Sequence, residues 1–374
     1  SIEDNLSDRL HEELTKSFID KKMSILARGL KQDIILKTEI GEDNKVLIDG
    51  QYIGELEGLK FKIDFTSKNL DADLKSIKKA ARKGIQEELI KRVSDITSSE
   101  KLSIENDNKI SWRKYPIARI IKGENYLNPL IEIIADDSLP ENLKYDLELF
   151  LTNWLTKHIK DLLGDLINLT KAKIDNQYLR ALSFQLYENN GIIKRENVKQ
   201  IIKLISKEER KKVWNMGIKI GRYHIYLPKM LKPKAVLLRT NLWKIFYNIT
   251  PNIDIPKFGL NFVLNKNFDT KFLLLCGFEK FKDFFVRVDI LEKLFINIIE
   301  KSIDKKFKIS ADMMNLLGCT KENFYKLMEL MNYKKTKEPD TYYFAGERKK
   351  NKKIINKKAN YTSPFKKLLS LNIK

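Results

Sequence analysis

The 374-residue sequence is poor in the residues that bind metals or form disulfides, with two cysteines and three histidines. Cys276 and Cys319 lie in apolar contexts, and the histidines at 11, 158 and 224 are isolated from one another. No CxxC or HExxH motif occurs, so the ligand spacing that zinc sites require is absent. No apolar run reaches the ~18–20 residues of a membrane-spanning helix, and no signal peptide is visible. These absences argue against a zinc enzyme, a disulfide scaffold and a membrane protein, and they favour a cytoplasmic protein.

Motifs for nucleotide hydrolysis are also missing. A phosphate-binding loop needs a glycine-rich turn followed by Lys and then Ser or Thr, but none of the fifteen glycines is followed by Lys. No Asp-Glu dipeptide occurs, so the acidic motif that would hold Mg²⁺ is lacking. The adjacent acids Asp136 and Asp137 would diverge in regular structure. We therefore expect no catalytic residues, no metal ligands and no cofactor in this chain, and leave open whether it is part of an enzyme.

Positive charge is abundant and unevenly distributed. The net charge is +21, but residues 1–150 hold 25 Lys and Arg against 29 Asp and Glu, whereas residues 151–374 hold 46 against 21. A lysine-rich proteome would explain many lysines, but it would not explain this asymmetry. The second part of the chain is therefore predicted to bind a polyanion, most commonly nucleic acid.

Residues 214–239 are the strongest candidate for such contacts. A run of alternating apolar residues from Ile218 to Ile225 predicts a strand that ends near Pro228, because proline cannot donate to a sheet. A rigid corner with cations, an aromatic ring and no acid would suit a polyanion, although a buried strand with solvated lysines is an equally good reading. The candidate contacts are Lys219, Arg222, Tyr223, His224, Lys229, Lys232, Lys234 and Arg239.

The predicted fold is α+β and mostly helical. Lys45–Asp64 and Lys109–Gly123 are similar strand-rich runs that start 64 residues apart, and each precedes a long helical stretch, which predicts duplicated β-hairpin and helix units. The predicted divisions are an N-terminal helical segment (1–40), a duplicated strand–helix region (41–137), a helical region with the proline-braced strand and loop (138–300), a winged-helix-like module (301–345) and a basic disordered tail (346–374).

The predicted winged-helix-like module follows from capping and turn signals. Gly318 suits a left-handed helix end, Thr320 suits the start of the next helix, and two strand-like runs flank a short wing. Such a module binds nucleic acid or docks on protein. The tail carries a block of like charges that is expected to stay disordered until a polyanion neutralises it. Further candidate contacts are Lys321, Lys334 and Lys335 in the module and Arg348, Lys349, Lys350, Lys352 and Lys353 in the tail.

Four stretches resemble one protein family. Their order and spacing are similar to those of the region after the ATPase core of alphaproteobacterial superfamily-two DExH-type helicases. The four stretches are GIKIGRYHIYLPKMLKPKA, Asp8–Gln32, Leu179–Val198 and Ser310–Lys335. Those enzymes are similar to the RNA helicase of the mitochondrial RNA-degrading complex. One departure is Lys219, where the family pattern has an arginine, so a bidentate fork is lost there.

The resemblance implies the C-terminal accessory, RNA-binding region of an ATP-dependent RNA helicase, with ATP and Mg²⁺ bound by a core outside this chain. A start at Ser1 without Met is typical of a fragment. The implied partners are RNA, or single-stranded nucleic acid, and an exoribonuclease; the compartment would be the mitochondrial matrix in a eukaryote. Two alternatives remain open, namely a protein-interaction scaffold that recruits a nuclease and a winged-helix DNA-binding protein.

Overall fold

The fold is α+β, as predicted, and the chain divides into two compact units, residues 1–295 and 296–374. The computed structural model describes residues 6–10, 13, 38–41, 43–48, 50–63, 71–99, 101–105, 108–171, 174–249, 255–264 and 269–345. Most of the predicted N-terminal helical segment and the whole basic tail, with its five candidate contacts, lie outside these residues.

Two four-stranded antiparallel sheets, each followed by a long helix, begin the first unit. In both sheets the strands lie in chain order. The elements are β1 (Thr38–Ile40), β2 (Lys45–Ile48), β3 (Gln51–Glu57), β4 (Lys60–Ile63) and α1 (Asp71–Ser98), then β5 (Leu102–Ile104), β6 (Lys109–Trp112), β7 (Tyr115–Asn125), β8 (Asn128–Ile133) and α2 (Glu141–Lys171).

The strand register confirms the predicted duplication. Ile40 pairs with Val46 in the first sheet, and the residues 64 positions later, Ile104 and Ile110, pair in the second. A register shift follows Val46 and recurs after Ile110, again 64 residues later. The turns before β2 and β6 also match, because both contain an asparagine with positive φ, at positions 44 and 108. The two sheets are therefore one unit used twice.

Helix α2 connects the duplicated region to the rest of the first unit. Leu147, Leu151, Leu155 and Ile159 recur every four residues and are buried, so one face of the helix packs into the core. The core is continuous from Val46 in the first sheet to residues beyond position 230. No helix among the described residues is both long and apolar enough to cross a membrane.

Three modules of similar element order make up most of the remaining described residues, and each has a helix, a short strand, at least one further helix and a β-hairpin. We call them the first, second and third hairpin modules (residues 177–226, 233–287 and 288–344). Their elements are α3 (Gln177–Glu188), β9 (Ile192–Lys194), α4 (Lys199–Leu204), α5 (Lys207–Asn215), β10 (Lys219–Ile220) and β11 (His224–Tyr226); α6 (Pro233–Phe246), β12 (Phe262–Leu264), α7 (Thr270–Leu275), β13 (Phe278–Lys280) and β14 (Phe284–Arg287); and α8 (Val288–Glu300), β15 (Lys306–Lys308), α9 (Ala311–Leu317), α10 (Lys321–Leu330), β16 (Tyr333–Lys335) and β17 (Thr341–Phe344).

The three hairpin modules share their strand order and their hairpin geometry. In each, the first strand pairs with the last strand of the hairpin, which gives the sheet orders β10-β11-β9, β12-β14-β13 and β15-β17-β16. A residue with positive φ precedes each hairpin, at Gly217, Gly277 and Asn332. The first and third modules have the element order of a winged helix-turn-helix, helix–strand–helix–helix–hairpin.

Only the third of these modules had been predicted. Its capping signals are confirmed, since Gly318 has φ 67° at the end of α9 and the Thr320 side chain accepts a hydrogen bond from the backbone N–H of Asn323. The alternating run from Ile218 to Ile225 was predicted as one strand, and this was wrong. It forms the hairpin β10–β11, because the chain reverses at Gly221.

Candidate nucleic-acid interface

The proline-braced segment surrounds the hairpin of the first module. Strand β11 ends at Tyr226, and Pro228 begins a single 3₁₀ turn that runs to Leu231. Pro233 is the first residue of α6, where its missing N–H removes no helical hydrogen bond. The two prolines therefore fix the backbone between β11 and α6, as the sequence predicted.

The turn of this hairpin is saturated with hydrogen bonds from distant residues. The Glu292 carboxylate, from α8, accepts the backbone N–H groups of Arg222 (2.6 Å), Tyr223 (2.8 Å) and His224 (2.8 Å). On the other side, Arg195 donates its backbone N–H to the Tyr223 carbonyl and its Nη1 to the Gly221 carbonyl. Consecutive N–H groups that converge on one point form an anion site, and here a side chain of the same chain occupies it.

Gly221 permits this close approach. A Cβ atom at position 221 would lie 2.3 Å from the Glu292 carboxyl carbon and 2.4 Å from its Oε2, well inside van der Waals contact. Any larger residue would push the carboxylate away from the three N–H groups. The glycine that the sequence places before Arg222 is thus required by Glu292, which lies 71 positions later.

His224 is buried between two carboxylates. The residue is 1% exposed, its Nε2 lies 2.9 Å from Oε2 of Glu279, and its Nδ1 lies 3.7 Å from Oε1 of Glu292. Glu279 also forms an ion pair with Lys194. These four residues come from β9, β11, β13 and α8, so the cluster joins the first hairpin module to the second and to the start of α8 within the first unit.

The cluster shifts the pKa values of its members in opposite directions. Burial alone would lower the pKa of His224, but the hydrogen bond to Glu279 and the nearby Glu292 carboxylate together raise it above the ordinary value. Burial alone would raise the pKa values of Glu279 and Glu292. Hydrogen bonds from His224 and Lys194 bring the pKa of Glu279 below its ordinary value, and hydrogen bonds from His224 and the N–H groups of the turn do the same for Glu292. Each shift favours the charged form of its group relative to the same side chain in water.

Arg239 is also buried, with no exposed surface. Its guanidinium donates to the carbonyl oxygens of Asn190 and Leu275. Burial lowers its pKa to about 10, and the neighbouring Cys276 and Tyr126 oppose that effect. The prediction that His224 and Arg239 contact nucleic acid is corrected by this burial, because both side chains hold elements of the first unit together and neither reaches the surface.

The other predicted residues of this segment divide by exposure. Tyr223 is half-buried, and its ring meets that of Phe295 edge-on with centroids 5.7 Å apart. Lys219 is half-buried and lies over the Tyr226 ring, with Nζ 6.0 Å from its centroid. The exposed cations are Arg222, which lies 5.7 Å from the Phe295 centroid, Lys229, which pairs with Asp165 at 2.9 Å, and Lys232 and Lys234.

In the second unit the predicted cations are partly neutralised. Lys321 pairs with Asp340 at 2.9 Å, and the Tyr325 hydroxyl donates to the same carboxylate. Hydrogen bonds with Tyr325 and Asp340 raise the pKa of Lys321, and hydrogen bonds with Tyr325 and Lys321 lower the pKa of Asp340. Lys335 lies 5.6 Å from the Tyr325 centroid, and Lys334 is exposed. The acid that compensates Lys321 belongs to the wing that the sequence predicted.

A basic surface that sequence reasoning missed lies on α5 of the first hairpin module. The helix begins with a capping box formed by Ser206 and Glu209, and only Val213 is fully buried. Its exposed side carries cations that form no ion pair with any described residue, together with the 71%-exposed Trp214. These cations are Lys207, Arg210, Lys211 and Lys212. The signal was present in KEERKKVWN, a capped helix with one apolar position on its inner face.

A groove of about 670 Å³ lies beside this surface. Helix α2 contributes Asp165 and Asn168 to its walls, and the end of α5 contributes Trp214 and Asn215. Lys219 and Lys229, both predicted as contacts from the sequence, line the groove as well. The structure thus brings two of the predicted lysines next to the missed tryptophan.

Comparison with protein-family models, with curated proteins and with solved structures gives no match for this chain.

Proposed function

We propose that this chain is the nucleic-acid-binding accessory region of an ATP-dependent RNA helicase, and that it holds single-stranded RNA for a core that lies outside it. The observation that carries the binding function is the α5 surface, where four cations stand exposed without partners among the described residues. The link to a helicase rests on the resemblance of the four sequence stretches.

The position of α5 in its module favours a nucleic-acid surface. In a helix-turn-helix, the second helix is the one that enters a groove or follows the phosphate backbone, and α5 has that place in the first hairpin module. Exposed Lys and Arg side chains without internal partners keep their full charge for phosphates, and the release of counterions then favours binding.

The equivalent helices of the other modules lack this character. Half of the six residues of α7 are buried, namely Phe272, Leu273 and Leu275. Helix α10 exposes two acids and two lysines, and its Lys321 is already paired with Asp340, whereas α5 exposes one acid, Glu208, and four cations. The basic character of α5 is therefore not a general property of these helices, which is the result expected if the first module carries the contact.

The test compares charge removal on α5 with equal charge removal elsewhere in the full chain. We expect the double variant Lys211→Gln/Lys212→Gln to bind fluorescent single-stranded RNA more weakly than wild type at low salt. The slope of log affinity against log salt should also fall by roughly 1.4, because each phosphate contact on a single strand contributes about 0.7.

The matched control is Lys60→Gln/Lys91→Gln, which removes two exposed lysines from the region of the first sheet. Fluorescence anisotropy at 50 and 200 mM salt measures both variants. An α5 variant that behaves like the control would refute the assignment of the surface, and wild-type protein that binds no RNA would refute the proposed function itself.

A further inference from the structure

Trp214 combines high exposure with a groove at its side. A large aromatic ring that remains 71% exposed forgoes the stabilisation of burial, although the same helix buries Val213 next to it. The groove wall contains two primary amides, on Asn168 and Asn215, and its volume of about 670 Å³ falls within the range of small-ligand sites. An aromatic face, amides and a pocket at one place are the groups that recognise a planar polar ring.

The charged residues around this groove indicate which chemical groups accompany the ring in the ligand. Lys219 and Lys229 line the groove, and the α5 cations that have no partner among the described residues precede Trp214 on the same helix. The single acid in the wall, Asp165, is neutralised by Lys229 at 2.9 Å. Cations around an exposed aromatic ring favour a planar ring that is linked to phosphates.

We propose that Trp214 and its groove form a stacking site for one unpaired nucleobase of a single-stranded nucleic acid. Trp214 would stack on the base, and the amides of Asn168 and Asn215 would face its polar edge. Lys219 would face an adjoining phosphate, and the α5 cations that lack partners among the described residues would face the phosphates beyond it. This inference rests on the proposed function and assigns the base contact to Trp214. Tyr223, the candidate aromatic residue of the proline-braced segment, has its ring packed against Phe295.

The site favours a single strand over a duplex for a physical reason. In a duplex each base is already stacked on both faces, so its ring is not open to a protein side chain. Single-stranded segments present free faces, and proteins bind them with aromatic residues that stack without strong sequence preference. Trp214 should therefore matter for single strands and matter little for duplexes.

The experiment uses the full chain with a fluorescent twelve-residue oligouridylate, and with a duplex of equal length. We expect Trp214→Ala to weaken binding of the single strand about tenfold, within the range for loss of one base–aromatic stack, without changing the salt slope. Trp214→Phe should stay within about threefold of wild type, since phenylalanine still offers a ring. Tyr145→Ala, which removes a 66%-exposed aromatic residue from α2, is the matched control and should have no effect.

Intrinsic fluorescence supplies a second readout. Trp112 is buried and Trp154 and Trp243 are half-buried, so a stacked base should quench mainly Trp214, and Trp214→Phe should abolish most of the quenching. The inference is overturned if Trp214→Ala binds the single strand as wild type does, or if it weakens the duplex equally. In either case the proposed function survives. Wild type that binds neither probe would overturn both.

Discussion

The Glu292→Gln substitution tests whether one carboxylate organises the hairpin of the first module. Glu292 is buried, and it accepts three backbone N–H groups while it faces the ring of His224. Glutamine has nearly the same shape, so the variant changes hydrogen bonding and charge without opening a cavity. We therefore expect the variant to fold but to be less stable than wild type.

The substitution removes one hydrogen-bond acceptor and one negative charge from the turn. The glutamine carbonyl can still accept from Tyr223 and His224, whose N–H groups both point to Oε1, but its NH₂ group replaces the Oε2 that accepts from Arg222. A hydrogen bond to a charged acceptor contributes roughly 1.5–3 kcal/mol. His224 also loses one of its two carboxylates and keeps Glu279. Together these changes should lower the free energy of unfolding by about 2–4 kcal/mol, a large part of the ~5–15 kcal/mol typical of a native protein.

Urea unfolding at pH 7, followed by tryptophan fluorescence, measures this loss. The chain has four tryptophans, at positions 112, 154, 214 and 243, and all lie in the first unit, so the signal reports the unit that contains the cluster. The control is Glu148→Gln, which neutralises an exposed carboxylate on α2 and should change stability by less than about 0.5 kcal/mol. If Glu292→Gln is as stable as this control, the Glu292 carboxylate does not organise the turn.

Two further predictions concern the same cluster. Because the pKa of His224 is raised above 6.5, its contribution to folding stability is fully present below that pH, and wild-type stability should fall as the pH rises above 6.5. The pKa values of Glu279 and Glu292 are lowered below 4.5, so stability should also fall as the pH drops below 4.5. Unfolding free energies from pH 3 to 9 measure both limbs, and His224→Gln should abolish the upper one; an unchanged upper limb would assign it to another group. Gly221→Ala should destabilise the first unit by at least about 2 kcal/mol, since its Cβ would meet the Glu292 carboxyl at 2.3 Å. Gly164→Ala is the matched control, because the new methyl group would have open space just after the kink of α2 at Leu163, and it should change stability by less than about 0.5 kcal/mol. Thermal melts of the two alanine variants decide this, and equal shifts would contradict the steric argument.

The duplicated sheets and the third hairpin module could be predicted from the sequence, because turn and capping residues that lie close together in the chain determine them. The duplicated sheets were found because Lys45–Asp64 and Lys109–Gly123 share a spacing of strand and turn residues, and this spacing determines register. The third hairpin module was found because Gly318 and Thr320 mark adjacent helix ends. In the first and second modules the glycine before the hairpin recurs after 60 residues, at Gly217 and Gly277, and this spacing could have been recognised.

The buried cluster could not be predicted in this way. The segment around His224 contains no acid of its own, so the sequence predicted a surface of one sign. Its acids, Glu279 and Glu292, come from 55 and 68 residues further along the chain. A histidine and an arginine in a basic segment resemble phosphate ligands until the fold shows that they are buried. Pairing at long range, rather than local composition, decided the roles of His224 and Arg239.

In the first hairpin module, structural support and the proposed ligand contact belong to different elements. The hairpin turn of the first module has its N–H groups bound to Glu292 and its carbonyls bound to Arg195, so the backbone groups that could bind a phosphate are already occupied. Helix α5 has the opposite character, since its cations lack partners among the described residues and Trp214 is exposed. A rigid hairpin next to an open basic helix can position that helix without competing for the ligand. The proposed contact therefore belongs to α5 and the Trp214 groove, and the hairpin serves as the support that holds them in place.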